Sequence, residues 1–593
     1  MEKHLYDSGL IGNCSFIAHI QKNTNVSWLC MPRFDSDFIF GGLLDQEKGG
    51  EFTVLPQSEE FESTQTYLEN TNILQTVIQA GNERYKVTDF APRFKNHDRY
   101  YRPLMLIRKL EPISGYPKIR IKCQPVGSKG TVKLKGSLGS NHIQFIGHEQ
   151  EVRLTTNAPL SFIVEEKLFV LQRPIYLVFT YGRPLEAPIE TTAERFLSST
   201  MDYWHGWVKS TSIYNFHQRL VLRSALILKI HQFEDTGAII AASTTSLPES
   251  PGSTRNWDYR YCWIRDSYYT LTCLNSIGHF EELEKYFDYI QNLPTVQDNR
   301  YQPLYSVTGD WFLTEEISPL EGYLGNKPVR FGNLAYTHVQ NDLYGQVLVS
   351  LLPLYSDARF TARERSYSEP MIMNLLNKIE QTMEEKDAGL WEFRNLAQEH
   401  CYTFLFHWAG ACAAIKIASR LDNEEMHRKA TALKAAAVKK IEACYLPEKK
   451  AYAQAIGVTH MDASTLQLIT MGYFGNDIER ANNHLKALES ELLAKDYLFY
   501  RYKHHDDFGI PETTFLICAF WYIEALACVN RLDEAIEGFE TLTKYCNHLQ
   551  LFSEDVDQKT GSQWGNFPQA YSHVGLMNAA FRIGRKLDRP NFL

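Results

Sequence analysis

The sequence predicts a two-part chain, a β-sandwich over residues 1–190 followed by an (α/α)6 barrel over residues 214–593, with a helical linker at 191–213. Three observations predict it. The hydrophobic period changes near residue 190 from strand-like to helix-like. The helices beyond 214 alternate between two types, one with a charged stripe and one apolar nearly all round. At 593 residues the chain exceeds the usual size of a single core.

The strands come first. "NVSWLC", "NILQTVIQ", "YKVTDFAP", "LMLIRKLEP", "KIRIKCQP", "TVKLKG" and "PIYLVFTYG" are short, rich in Val, Ile, Tyr and Thr, and separated by Gly, Pro, Asn or Ser. Such runs at close spacing indicate a sandwich. The segment "TTAERFLSSTMDYWHGWV" then reads as a connecting helix. Twelve helices are expected beyond it, starting near 214, 263, 279, 338, 366, 401, 423, 463, 478, 512, 532 and 568. Segments such as "FEELEKYFDYIQNL" and "LDEAIEGFETLTKY" carry a charged face and belong outside. "CYTFLFHWAGACAAIKIA" and "TTFLICAFWYIEALACV" are apolar on every side and belong inside. Six inner helices running the same way open their N-termini on one end of the barrel. The segments before them, among them "NWDYRYCWIRD", "NKPVRFGNLAY", "LWEFRNLAQEH", "GVTHMDA", "RYKHHDDFGIPE" and "LFSEDVDQKTGSQWGNFP", should therefore line one rim.

Composition excludes some functions. A net charge of −9 argues against a nucleic-acid binder, which normally presents a basic face. No apolar run approaching ~20 residues is evident, so no membrane span is expected. The start "MEKHLYDSGLIGNCSF" lacks a basic end followed by an apolar core, which reads as a cytoplasmic protein without a visible leader. The eleven cysteines are scattered, with no CxxC pair, as reduced structural thiols would be. No Walker A loop, no GxGxxG after a strand and no GxSxG elbow is present. "KHHDD" at 503–507 has metal-ligand residue types, but a polar loop explains it equally and no HExxH is present, so neither metal nor cofactor is expected.

The stretch 255–274 crowds four Tyr, two Trp, three Arg and two Asp ahead of a buried helix. Flat apolar faces beside bidentate hydrogen-bonders suit a sugar. Arg265 and Asp266 open that helix, and a fork of donors beside a pair of acceptors can grip vicinal hydroxyls, although a structural ion pair would use the same residues. Trp257, Trp263 and Trp391 are candidate stacking platforms. Two carboxylates stand out among 70 acidic residues. Glu392, between Trp391 and Phe393, has apolar neighbours that would keep it protonated as a general acid. Glu554 lies in a polar loop with Asp555 and Asp557 and suits an ionised base, provided a donor offsets the neighbouring acids.

These motifs resemble glycoside hydrolase family 15, the glucoamylase, glucodextranase and trehalase family, in its two-domain prokaryotic form. "GLIGNCSFIAHIQKNTNVSWLCMPRFDSDFIFGGLLD", "NWDYRYCWIRD", "GNLAYTHVQNDLYGQVL", "AGLWEFR", "FLICAFWYIEAL" and "LFSEDVDQKTGSQWGNFPQAYSH" follow in the family's order. The resemblance implies hydrolysis of an α-glucoside oligosaccharide with inversion. Glu392 falls at the general acid and Glu554 at the general base that activates water. Arg265 and Asp266 fall where the terminal glucose is held, with Trp263 and Trp391 in the pocket wall and Arg501 at a further glucose-binding arginine. The sequence departs from the family pattern at Pro511, Glu512 and Thr513, where Glu-Gly often precedes the aromatic residue, and at His338, where Gln is common. The expected activity is glucoamylase-type release of glucose, with trehalose hydrolysis the alternative and a non-catalytic sugar-binding protein the third reading. The acid and base motifs do not choose among the substrates.

Overall fold

The structure, a computed structural model, describes residues 3–185, 187–296, 299–360 and 369–588. Strands fill the N-terminal part. The largest sheet has eight, in the order 135–138, 142–146, 152–156, 175–181, 105–114, 83–90, 74–80 and 62–67. The strand Ile175–Tyr181 is buried along its whole length near the middle of this sheet. Strand Lys118–Gln124, "KIRIKCQ", alternates strictly: Ile119, Ile121 and Cys123 point inward while Lys118, Arg120 and Lys122 do not. It pairs with Glu51–Pro56 in a second sheet, and Ser8–Gly12 to Phe38–Phe40 form a third.

The helix Ile189–Lys209 follows the last long strand, and the helical part begins with Gln218–Ile230. Its inner helices are Ile264–Ser276, Asp342–Ser356, Cys401–Leu421, the short Gln467–Thr470, Leu516–Cys528 and Ala570–Leu587. Each packs on the next and the last on the first, closing a ring. The charged helices, such as Glu281–Gln291 and Ile478–Leu492, bury one face only. The chain thus has an N-terminal sheet-rich domain and a C-terminal helical domain with the alternation of an (α/α)6 barrel.

Several expected elements differ in detail. The inner helix expected near 463 is one 3-10 turn, Ala463–Leu466, and one α-turn, ended where Gly472 takes a left-handed conformation (φ 76°). The helix expected near 338 starts at Asp342, after a 3-10 turn. The start near 366 lies outside the described residues. The helix Cys401–Leu421 is long and apolar enough to cross a membrane, contrary to the sequence reading, but 78% of its most apolar window is buried inside the protein, as in a core helix. Gln218–Ile230 is buried on most sides because strands of the first domain lie against it: Arg223 donates to Asn72 at 2.9 Å, and the Asn72 amide returns a hydrogen bond to the Leu226 carbonyl at 3.0 Å. All eleven cysteines are free thiols, most of them buried.

Candidate active site

The inner helices place the site. Arg265 and Asp266 lie in the first turn of Ile264–Ser276, whose N-terminal end faces the rim. Loops ahead of other inner helices bring Trp391 and Glu392, Arg501, and Glu554 to the same space. The cavity they enclose has an empty volume of ≈870 Å³, its open mouth included. Its lining includes all eight residues singled out in the sequence: Trp257, Trp263, Arg265, Asp266, Trp391, Glu392, Arg501 and Glu554.

Glu392 sits in a left-handed backbone conformation (φ 60°) just after Gly389 (φ 67°), a strained position for a side-chain-bearing residue. One of its oxygens, Oε1, accepts from Trp263 Nε1 at 2.7 Å, Arg265 Nη2 at 3.1 Å and Gln340 Nε2 at 3.1 Å. Burial pushes this carboxyl up, but Arg265, His338, Gln340 and Trp263 together outweigh it and hold it below the ordinary glutamate value. The sequence reading of a carboxyl kept protonated by apolar neighbours is therefore corrected. The flanking Trp391 and Phe393 do not set its electrostatics; donors brought from more than fifty residues away do. Trp391 donates its own N–H elsewhere, to Asp462.

Glu554 differs in the opposite sense. Tyr259 donates to its Oε1 at 2.7 Å and the Asn566 N–H to its Oε2 at 3.2 Å. Burial, with Glu249 next, nevertheless raises it well above the ordinary value, against Tyr259, Arg501 and the Asn566 N–H. The offsetting donors that an ionised base requires are present and do not outweigh burial and Glu249. Gly565, at φ 75°, makes room for this side chain: a Cβ there would lie 2.5 Å from Glu554 Cβ and 2.7 Å from Oε2.

Arg265 and Asp266 are 6% and 4% exposed, which makes them the floor. They approach each other only to 4.0 Å, so a tight mutual ion pair is not what orders them. Arg265 instead donates to Tyr571 at 3.0 Å, to Gln340 and to Glu392. Burial pushes Asp266 up to about 7 against the pull of Arg265. Arg501 is ion-paired with Glu249, whose other oxygen accepts from Trp257 Nε1 at 3.3 Å. The Trp257 ring carries two guanidinium groups, Arg330 at 4.6 Å and Arg394 at 4.7 Å, so it is already engaged.

Sequence reasoning missed Glu249, Tyr259, Gln340 and Tyr571. Tyr259 lies in a segment already expected at the rim, whereas Gln340 lies four residues past the end of one and Tyr571 is one residue into an inner helix. Extending the rim rule by one turn would have found it. Glu249, in "TSLPES", lies outside all six segments and carried no signal. His338, noted as a departure, lines the cavity, and the Gln two positions on makes the contact to Glu392. Among the described residues, no group of three or more His, Cys, Asp or Glu side chains could hold a metal ion.

Comparison with known proteins identifies the family. Residues 215–581 match the model of glycosyl hydrolases family 15, and residues 4–167 match a trehalase-like N-terminal domain. A trehalase of Thermoplasma volcanium is 32% identical over 98% of this chain and 93% of its own. A trehalase of Mycobacterium tuberculosis is 29% identical over 95% of this chain and 87% of its own. A bacterial glucoamylase crystallised with acarbose shares the fold, with a TM-score of 0.71 at 14% identity over 98% of this chain and 95% of its own. With the family model covering the helical domain and the relatives covering nearly the whole length, the chain is an O-glycosyl hydrolase and belongs to glycosyl hydrolases family 15.

Proposed function

We propose that this enzyme hydrolyses α,α-trehalose with inversion, Glu392 serving as general acid and Glu554 as general base. The observation that carries the chemistry is the convergence of two carboxylates of opposite electrostatic bias above a floor of Arg265 and Asp266. The choice of trehalose over a glucan reverses the order of the sequence reading. It rests on relatives named trehalase at 26–32% identity over nearly their full lengths.

One glucose is held at the floor by hydrogen bonds from Arg265 and to Asp266. Glu392 passes a proton to the bridging oxygen, and Glu554 takes one from a water attacking the opposite face of the sugar, which inverts the anomeric carbon. The pair needs one proton in total. The opposite biases of the two carboxyls favour that proton on Glu554, and the reactive arrangement has it on Glu392. Both arrangements hold the same number of protons and share one pH dependence.

The test is incubation with trehalose, maltose and isomaltose, with released glucose measured and the first anomer read by proton NMR. Trehalose should give the highest kcat/KM, with β-glucose and α-glucose in equal amounts: one from the inverted half and one from the leaving half. Glucose from maltose or isomaltose alone would remove trehalose as substrate, and α-glucose alone at early times would remove inversion.

A further inference from the structure

The turn 503–509, "KHHDDFG", does not use its charged residues as a metal set. Asp506 Oδ1 accepts from Arg255, and from the Phe508 N–H at 2.7 Å, while Oδ2 accepts from the Tyr502 hydroxyl. Arg255 also donates to the Gly509 carbonyl at 3.1 Å, closing the turn. Asp507 accepts from the Arg394 N–H at 2.6 Å and from the Asn395 side-chain amide at 2.7 Å, so it grips the backbone two residues beyond Glu392. His504 pairs with Gln454 at 2.7 Å, away from these.

What this turn holds in place is Phe508. Its ring meets Trp257 edge-on at 5.1 Å, with Arg394 at 5.2 Å and Arg255 at 5.4 Å from its centroid. Arg330 and Arg394 share Trp257, and both are ion-paired to Glu315, at 3.2 and 3.4 Å. The result is a layer of alternating guanidinium and aromatic groups, each cation ion-paired and Glu315 shared between two of them, fixed from the 255, 330, 394 and 506 segments at once. Such contacts gain strength where water is displaced.

Burial orders the cavity from floor to mouth. Arg265, Asp266 and Glu554 are 6%, 4% and 1% exposed, whereas Glu392, Trp257, Arg394 and Phe508, which line the same cavity, are half-buried and Asp507 is exposed. A glucose gripped at the floor, its anomeric carbon between the two glutamates, must direct its leaving group outward into this layer. We infer that Phe508, held by its clamped turn, ends the site after one leaving sugar and so restricts the enzyme to glucose as leaving group. Arg255, Asp506 and Asp507 act through Phe508 as positioning residues. The inference rests on the proposed hydrolysis from an end of the sugar, but not on which linkage is cut.

The experiment compares substrates that release glucose with substrates of the same linkage that release a disaccharide: trehalose against glucosyl-trehalose, and maltose against maltotriose. In the wild type the glucose-releasing member should have the higher kcat/KM by about tenfold or more, the scale of discrimination a pocket wall provides. Phe508→Ala should raise KM for the glucose-releasing member and shrink the ratio by about tenfold. Phe508→Tyr should keep the ratio. Thermal melts establish that each variant is folded, and Phe508→Leu replaces the Ala variant if that one is not. Equal use of both members by the wild type, or an unchanged ratio in a folded Ala or Leu variant, overturns the inference. Activity on the maltose series alone, with the ratio behaving as stated, overturns the trehalose reading and leaves this one standing.

Discussion

Glu392 and Glu554 share a cavity yet are biased in opposite senses, and the sign of each bias sets a pH dependence. Below the depressed pKa of Glu392 both carboxyls are protonated, and no base is left to take a proton from water. Above the raised pKa of Glu554 both are ionised, and no proton remains for the leaving oxygen. The profile of kcat/KM, which reports the free enzyme, should therefore be a broad bell. Its acid limb should lie below the ordinary glutamate value and its alkaline limb well above it. Glu249→Gln tests the cause. Removing that carboxylate takes away the charge that raises Glu554 and frees Arg501, which lowers it. Both changes move the alkaline limb to lower pH. An alkaline limb that stays in place in this variant, with the acid limb also unmoved, would show that Glu249 does not tune Glu554.

Loops ahead of the inner helices carry the chemistry, and the base-bearing one shows how little freedom they have. Asp555–Val556 pairs with Gln563–Trp564 and with Thr514–Phe515, so Glu554 immediately precedes the central strand of a three-stranded patch. Gly565 then passes beside it with no room for a side chain. Gly565→Ala should push Glu554 aside and strain a left-handed backbone position, lowering kcat by about 10²-fold, the loss that a misplaced catalytic group brings, with KM less affected. Steady-state kinetics on a variant shown to be folded by circular dichroism measures it. This scale also shows what could be read in advance. The charged and apolar helix types were legible because burial imposes a period on each helix, and the rim followed from the common direction of the inner ones. The bias of Glu392 was not legible, because Gln340, Arg265 and Trp263 reach it across the barrel while its sequence neighbours point elsewhere. The role of the turn 503–509 was not legible for the same reason: its acids answer to Arg255 and to the backbone of Arg394, not to each other.

The two domains meet beneath the base-bearing loop, which ties catalysis to the whole molecule. The Tyr6 hydroxyl donates to the Gly565 carbonyl at 2.8 Å, and its ring stacks on Phe567 at 4.6 Å. The Gln563 N–H donates to the His4 carbonyl at 2.9 Å, and the His4 ring stacks on Trp564 at 4.5 Å. Farther off, Arg93 of the first domain pairs with Glu234 of the second at 2.8 Å, both side chains nearly inaccessible. Removing one partner of a buried pair costs about 3–5 kcal/mol, and a stable domain has only about 5–15 kcal/mol in hand. A fragment of residues 214–593 would lose Arg93, the Asn72 partner of Arg223 and Leu226, and the Cys14 thiol bonded to the Lys229 carbonyl. That fragment should therefore aggregate or melt without a cooperative transition. A milder change isolates the effect on the site. Tyr6→Phe keeps the stack on Phe567 and removes only the hydrogen bond to Gly565, worth about 1 kcal/mol. It should lower kcat several-fold at nearly unchanged melting temperature. A monomeric fragment with a cooperative melt and wild-type kcat, or a Tyr6→Phe enzyme with wild-type kcat, would mean that the barrel holds its base without help from the sheets.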